Sequence, residues 1–124
     1  MLNYPLRMKR IYEKVDKEDG YRILVDRLWP RGVAKEEAYI KEWAKEITPT
    51  PTIRKAFNHQ PQKFNAFKQA YWAELEANSH AKKFKQHIFE QLQHTPVTFI
   101  YAAKDEQYNH VVILMEYVQT KQGT

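Results

Sequence analysis

The chain of 124 residues contains no cysteine. That absence excludes disulfide staples, iron–sulfur clusters and thiol nucleophiles, and it suits a reducing compartment. Glycine is scarce at three residues and proline at six, so the chain is not of low complexity. Long apolar runs are missing too. Val111 to Met115 is among the longest aliphatic stretches and is far too short to span a bilayer. Met1 to Arg7 lacks the apolar core of a signal peptide, so a soluble protein of the cytoplasm is expected, with no membrane partner. No P-loop, Gly-x-Gly-x-x-Gly, Gly-x-Ser-x-Gly or His-Glu-x-x-His string occurs. The common ATPases, dinucleotide oxidoreductases and serine hydrolases are disfavoured accordingly.

What is present is a well-stocked core. Apolar residues make up 43% and aromatic residues 14%, which argues against disorder. The length suits one domain, residues 1–124, with a short frayed tail over Gln119–Thr124. Net charge is +5, from 20 Lys and Arg against 15 Asp and Glu. Such a balance favours anionic partners. The lysines are scattered, however, and a solvated surface explains them equally well.

Hydrophobic patterning predicts strands over Leu6–Tyr12, Tyr21–Asp26 and Val97–Ala102, the second following an Asp19-Gly20 turn signal. Tyr39, Ile40, Trp43, Ala44 and Ile47 recur at helical period, which predicts a helix over Lys35–Ile47. Thr50-Pro51 reads as an N-cap followed by proline at the first helical position. Pro61 restarts a longer helix, and Asn78 or Ser79 caps the next. Asn109–Val118 carries both β-branched residues and a helical pattern, and helix is the reading taken. The order β, β, several helices, β, α implies a single small α/β domain. Its short sheet of about three or four strands is mostly parallel and flanked by helices.

Two strands end abruptly in polar clusters. Ile23-Leu24-Val25 runs into Asp26-Arg27-Leu28-Trp29-Pro30-Arg31-Gly32, and the third strand runs into Lys104-Asp105-Glu106 and Asn109-His110. Parallel strands bring such ends to one edge, where α/β sheets bind ligands.

The strings Asp19 to Val33, Ile53-Arg54 to His59, and Tyr101-Ala102-Ala103-Lys104-Asp105 with Asn109-His110 resemble the YeaO-like family of domains of unknown function, the family numbered 488. The resemblance runs from about Lys9 to Tyr117 and implies a small α/β domain, without an assigned activity. The chain departs from the family pattern at Asn58-His59-Gln60-Pro61, where Gly-His-Asp-Pro is common, and at Ala34, where a capping residue is common. Both are weaker helix starts.

From the residues themselves, Asp26 and Asp105 are the candidate acid–base or metal-binding carboxylates. The alternative is that each pairs with a neighbouring cation or caps a helix. His59 and His110 are candidate proton carriers. Arg27 and Arg31 flank the stiff Trp29-Pro30 pair and suit forked binding of phosphate or carboxylate, with Arg54, Tyr101, Lys104 and Asn109 as further binding candidates. Arg22 is read as part of a structural ion pair, and Trp29 as packing, with stacking on a base or sugar ring as its alternative. His80, His87 and His94 recur every seven residues and read as a solvated stripe; no metal site and no cofactor is assigned.

Two functions remain open. One is a small enzyme or ligand-binding protein for an anionic or nucleotide-like molecule at the strand carboxyl ends. The other is a non-catalytic nucleic-acid-associated or protein-interaction module, resting on net charge and on Lys82-Lys83-Phe84-Lys85.

Overall fold

The structure, a computed structural model, describes residues 4–120. Strand β2 (Tyr21–Leu24) and strand β4 (Val97–Tyr101) form the middle of a four-stranded sheet with β1 (Leu6–Arg10) and β3 (Glu42–Trp43) at its edges. The order is β1-β4-β2-β3 and every pairing is parallel. Every residue of β4 is buried, as a strand paired on both sides and covered on both faces must be.

Side chains alternate between the two faces of the sheet. Ile23, Val25, Val97, Phe99 and Tyr101 join the larger core. Over it lie α3 (Phe64–Ala77), α4 (Ser79–Gln91) and α5 (His110–Gln119), with α2 (Pro51–Phe57) against α3. Leu24 and Ile100 face the other way, onto Ile11, Trp29, Val33, Ile40 and Trp43. The last element is a helix, as its apolar period predicts. Of the tail expected to fray over Gln119–Thr124, Gln119 closes α5 and Thr120 bonds back to the Glu116 carbonyl, and residues 121–124 lie outside the described residues.

The helix predicted over Lys35–Ile47 does not form as one element. Only α1 (Lys35–Ala38) is helical there, and Tyr39 stops it in the left-handed region at φ 52°. The chain then turns into β3 and a single 3-10 turn at Lys45–Ile47. The exposed flank of β2 decides the matter, because its free backbone groups take Lys41 N–H and Ala44 N–H onto the Arg22 and Leu24 carbonyls at 2.8 and 2.9 Å. The apolar spacing was real, but it serves two cores: Ile40 and Trp43 pack on one face, Ala44 and Ile47 on the other.

The helix starts also differ in detail. Asn78 caps α4 by accepting the His80 N–H at 2.9 Å. Thr50 precedes α2 without a side-chain cap and instead donates its hydroxyl to Glu74 at 2.6 Å, tying α2 to α3. Ala34 and Gln60, the two departures from the family pattern, provide no side-chain cap.

Candidate functional site

Because β2 and β4 are parallel neighbours, their carboxyl ends lie side by side. The segments that leave them, together with α2 and the start of α5, enclose a cavity of about 540 Å³. Asp26, Arg27, Arg31, Arg54, His59, Asn109 and His110 line it. Asp105, Lys104 and Tyr101 are not among its lining residues. Trp29 is, and so are Lys55, Phe57 and Phe67, which sequence reasoning did not assign to a site.

Asp26 sits one residue past Val25, whose N–H bonds the Ile100 carbonyl at 3.0 Å and extends the pairing with β4. Its carboxylate is 16% exposed. Oδ2 accepts the Ala102 N–H at 2.9 Å, and Oδ1 lies 3.4 Å from His110 Nε2. The Asp26 carbonyl accepts the Trp43 indole N–H at 2.7 Å, so the edge strand holds this residue's backbone. Arg10 holds the opposite wall: its guanidinium donates to the Ala103 and Ala102 carbonyls at 2.8 and 3.0 Å. Nothing in the sequence around Arg10 signals that role.

His110 opens α5, and its side chain is 17% exposed. Nε2 lies 2.7 Å from the Val25 carbonyl. A carbonyl only accepts, so Nε2 carries a proton, and in the neutral ring Nδ1 is the free acceptor. Burial pushes the Asp26 carboxyl above the ordinary carboxylate value, and the nearby His110, the Ala102 N–H and Arg54 only partly offset it. Burial likewise pushes the His110 imidazole below its ordinary 6.5, against the pull of Asp26 and the Val25 carbonyl. Both shifts have one cause: a charge on either group is poorly solvated here.

A pH dependence follows for His110. Its folded-state pKa is depressed below 6.5. As pH falls through 6.5, the unfolded chain takes up a proton that the folded chain refuses, and stability drops. The slope from this group is at most about 1.4 kcal/mol per pH unit. Urea midpoints between pH 7.5 and 5.5 should therefore fall for the native chain. The fall should shrink in His110→Gln, which keeps a donor but does not titrate; equal slopes in the two proteins would refute the assignment. Asp26 works in the opposite direction, its raised pKa costing stability as pH rises above 3.8.

The cations divide by position. Arg27 is half-buried, donates to the Pro49 carbonyl at 3.2 Å, and has a buried Nε with no hydrogen-bond partner among the described residues. Arg31, Arg54 and Lys55 are exposed. Among the described residues, Arg31 and Arg54 make no hydrogen bond or ion pair through their side chains. Asn58 and His59, between α2 and the next turn, both hold positive φ, 47° and 55°. Side chains adopt that region at a cost, and two in succession fix where the exposed His59 sits at the cavity.

Three residues nominated from sequence have other occupations. Asp105 Oδ1 accepts the Gln107 and Tyr108 N–H groups at 2.9 Å each, which holds its carboxyl below the usual range, with a smaller contribution from His59. Its partner in the loop is therefore its own following turn, not Lys104. Tyr101 is buried in the core with its hydroxyl on the Asn109 side chain. Asn109 lines the cavity, yet its amide is engaged: Oδ1 accepts the Val112 N–H at 3.0 Å as the cap of α5, and Nδ2 donates to the Asp105 carbonyl at 2.7 Å.

The remaining candidates lie elsewhere. Arg22 forms the buried ion pair expected of it, with Asp19. Of the α4 lysines, Lys82 and Lys83 are exposed, whereas Lys85 is buried and donates to the Thr120 carbonyl at the end of α5. His87 pairs with Glu42 at 2.8 Å. No group of three or more His, Asp or Glu side chains among the described residues is placed to hold a metal ion. No helix among them is long and apolar enough to cross a membrane.

These features define a small parallel α/β domain with a cation-lined cavity at the carboxyl ends of its two central strands. Residues 5–123 match the family described as "Inactive DUF488-N3 subclade". The chain belongs to this YeaO-like DUF488 family. It is 38% identical to "Uncharacterized protein YeaO" of Escherichia coli over 115 residues, 93% of this chain and 97% of that protein. It is 40% identical over 70 residues to "Uncharacterized protein Rv3073c" of Mycobacterium tuberculosis and to "Uncharacterized protein Mb3100c" of Mycobacterium bovis, covering 56% of this chain and 59% of each. No solved structure matches the chain.

Proposed function

We propose that this protein binds a small anionic molecule in the cavity beyond β2 and β4 and does not transform it. The observation that carries this reading is that Arg31 and Arg54, exposed and without a side-chain hydrogen bond or ion pair among the described residues, border one cavity with Arg27. A guanidinium with no partner at the mouth of a concave site is available for forked hydrogen bonds to phosphate or carboxylate. Two facts favour binding over catalysis. The Asp105 carboxylate is taken up by its own turn and does not line the cavity, so it does not pair with Asp26. The matching subclade is also described as inactive.

Thermal denaturation with inorganic phosphate, sugar phosphates and nucleotides tests the reading. A ligand at a hundred times its Kd raises stability by about 2.7 kcal/mol. The double variant Arg31→Ala/Arg54→Ala should change its unliganded Tm only slightly, since the interaction lost within the fold is the attraction of Arg54 for the Asp26 carboxylate, and should lose most of the ligand-induced shift. No anion raising the Tm, or an undiminished shift in the double variant, would refute it.

A further inference from the structure

The cavity is not uniformly cationic. A largely buried carboxylate, Asp26, lines it, and Arg31 and Arg54 at its border are exposed. A bare anion entering deeply would meet like charge. Asp26 Oδ2 is committed to the Ala102 N–H, but Oδ1 has no short donor. Its neighbour at 3.4 Å, His110 Nε2, directs its proton to the Val25 carbonyl at 2.7 Å. Oδ1 therefore retains lone pairs for a ligand donor. Aromatic residues line the same cavity: Phe57 and Phe67 from one core cluster and Trp29 from the other. The volume, about 540 Å³, lies within the range of small-molecule sites and far exceeds what a phosphate ion needs.

Building on the anion-binding reading, we propose that the ligand is a planar ring with an N–H donor joined to an anionic group, of the nucleoside monophosphate type. The amino group of the ring donates to Asp26 Oδ1, the ring lies against the aromatic wall, and the phosphate reaches Arg31 and Arg54. Stacking on aromatic side chains is available to any base, because every base has a π-face. The poor solvation of the Asp26 charge agrees with an acceptor short of donors.

Calorimetric titration of the full chain with AMP, CMP, ribose 5-phosphate and inorganic phosphate provides the test. AMP or CMP should bind at least about tenfold more tightly than ribose 5-phosphate, the worth of one charge-assisted hydrogen bond plus stacking. Asp26→Asn keeps an acceptor for the Ala102 N–H and turns an amide NH2 toward the ring. It should bring the ratio to within about twofold without weakening ribose 5-phosphate, whose phosphate then meets one like charge fewer. Similar affinities for ribose 5-phosphate and the nucleotides would overturn the ring assignment and leave the anion site standing. A preference that survives Asp26→Asn would overturn the role of Asp26. Binding of none of the four probes would remove this proposal, while failure of the anion reading itself is decided by the wider screen and the arginine variants.

Discussion

Asp19→Ala is expected to destabilise the fold by about 3–5 kcal/mol, the cost of leaving a buried charge without its partner. Asp19 and Arg22 are 7% and 3% exposed and meet at 2.6 Å. Lys9 donates to the other carboxylate oxygen at 2.8 Å. The Asp16 N–H, part of a capping box, and the Thr98 hydroxyl, which reaches the Asp19 carbonyl at 2.8 Å, complete the node. Arg22 is already under-satisfied, since its Nη2 is buried without a partner among the described residues. Removing Asp19 would strand the guanidinium beneath the sheet. The double variant Asp19→Ala/Arg22→Met should recover much of the loss, because an apolar side chain there carries no charge to desolvate. Urea unfolding of both proteins gives the two numbers, and a single-variant loss under about 1 kcal/mol would mean the pair is solvent-relaxed. The node also makes the fold acid-sensitive. Burial would raise the Asp19 carboxyl, but the hydrogen bonds from Lys9, Asp16 and Arg22 outweigh it and hold it below 3.8. Its contribution is thus present above that pH and is lost as pH falls through the depressed folded value.

Gly20→Ala should cost about 3–4 kcal/mol, from strain plus a broken rung. Gly20 holds φ 65° and ψ −123°, a region closed to side chains. A Cβ there would lie 2.2 Å from the Pro96 carbonyl oxygen and 2.8 Å from Thr95 Oγ1. That same carbonyl accepts the Tyr21 N–H at 2.8 Å, the first bond between β2 and the approach to β4. The new methyl group therefore separates the strands on which the cavity depends. Gly32 is the internal control. It has φ 74°, but a methyl group added there would meet nothing within 4 Å, so Gly32→Ala carries only left-handed strain, about 1–2 kcal/mol. Thermal melts of the two variants should rank them clearly. Equal losses would show that the strand approach yields to the added carbon.

Much of the fold was legible in the chain. Ile23-Leu24-Val25 and Val97–Ala102 read as buried strands because a doubly covered strand is apolar on both faces. Their parallel pairing followed from the long helical crossover between them. The stretch Lys35–Ile47 departs from its helical pattern because a short helix, an edge strand and a 3-10 turn can mimic one helical stripe when their apolar residues serve opposite faces of a sheet. Local propensity could not weigh the unsatisfied edge of β2.

The candidate site divides in the same way. Sequence alone determined that ionisable groups gather after two strand ends, and that Arg22 belongs to a structural pair, because residue type and strand termination are local properties. It could not determine where each carboxylate turns. Asp105 closes on its own loop and Asp26 faces the cavity, although both follow a strand. Nor did it mark Phe57, Phe67 and Lys55 as cavity residues or Arg10 as the clamp on Ala102 and Ala103. Those roles come from packing α2 and α3 over the sheet edge and from a hydrogen bond spanning 93 positions in the chain. Contacts of that range are fixed by the assembled core, which no local pattern encodes.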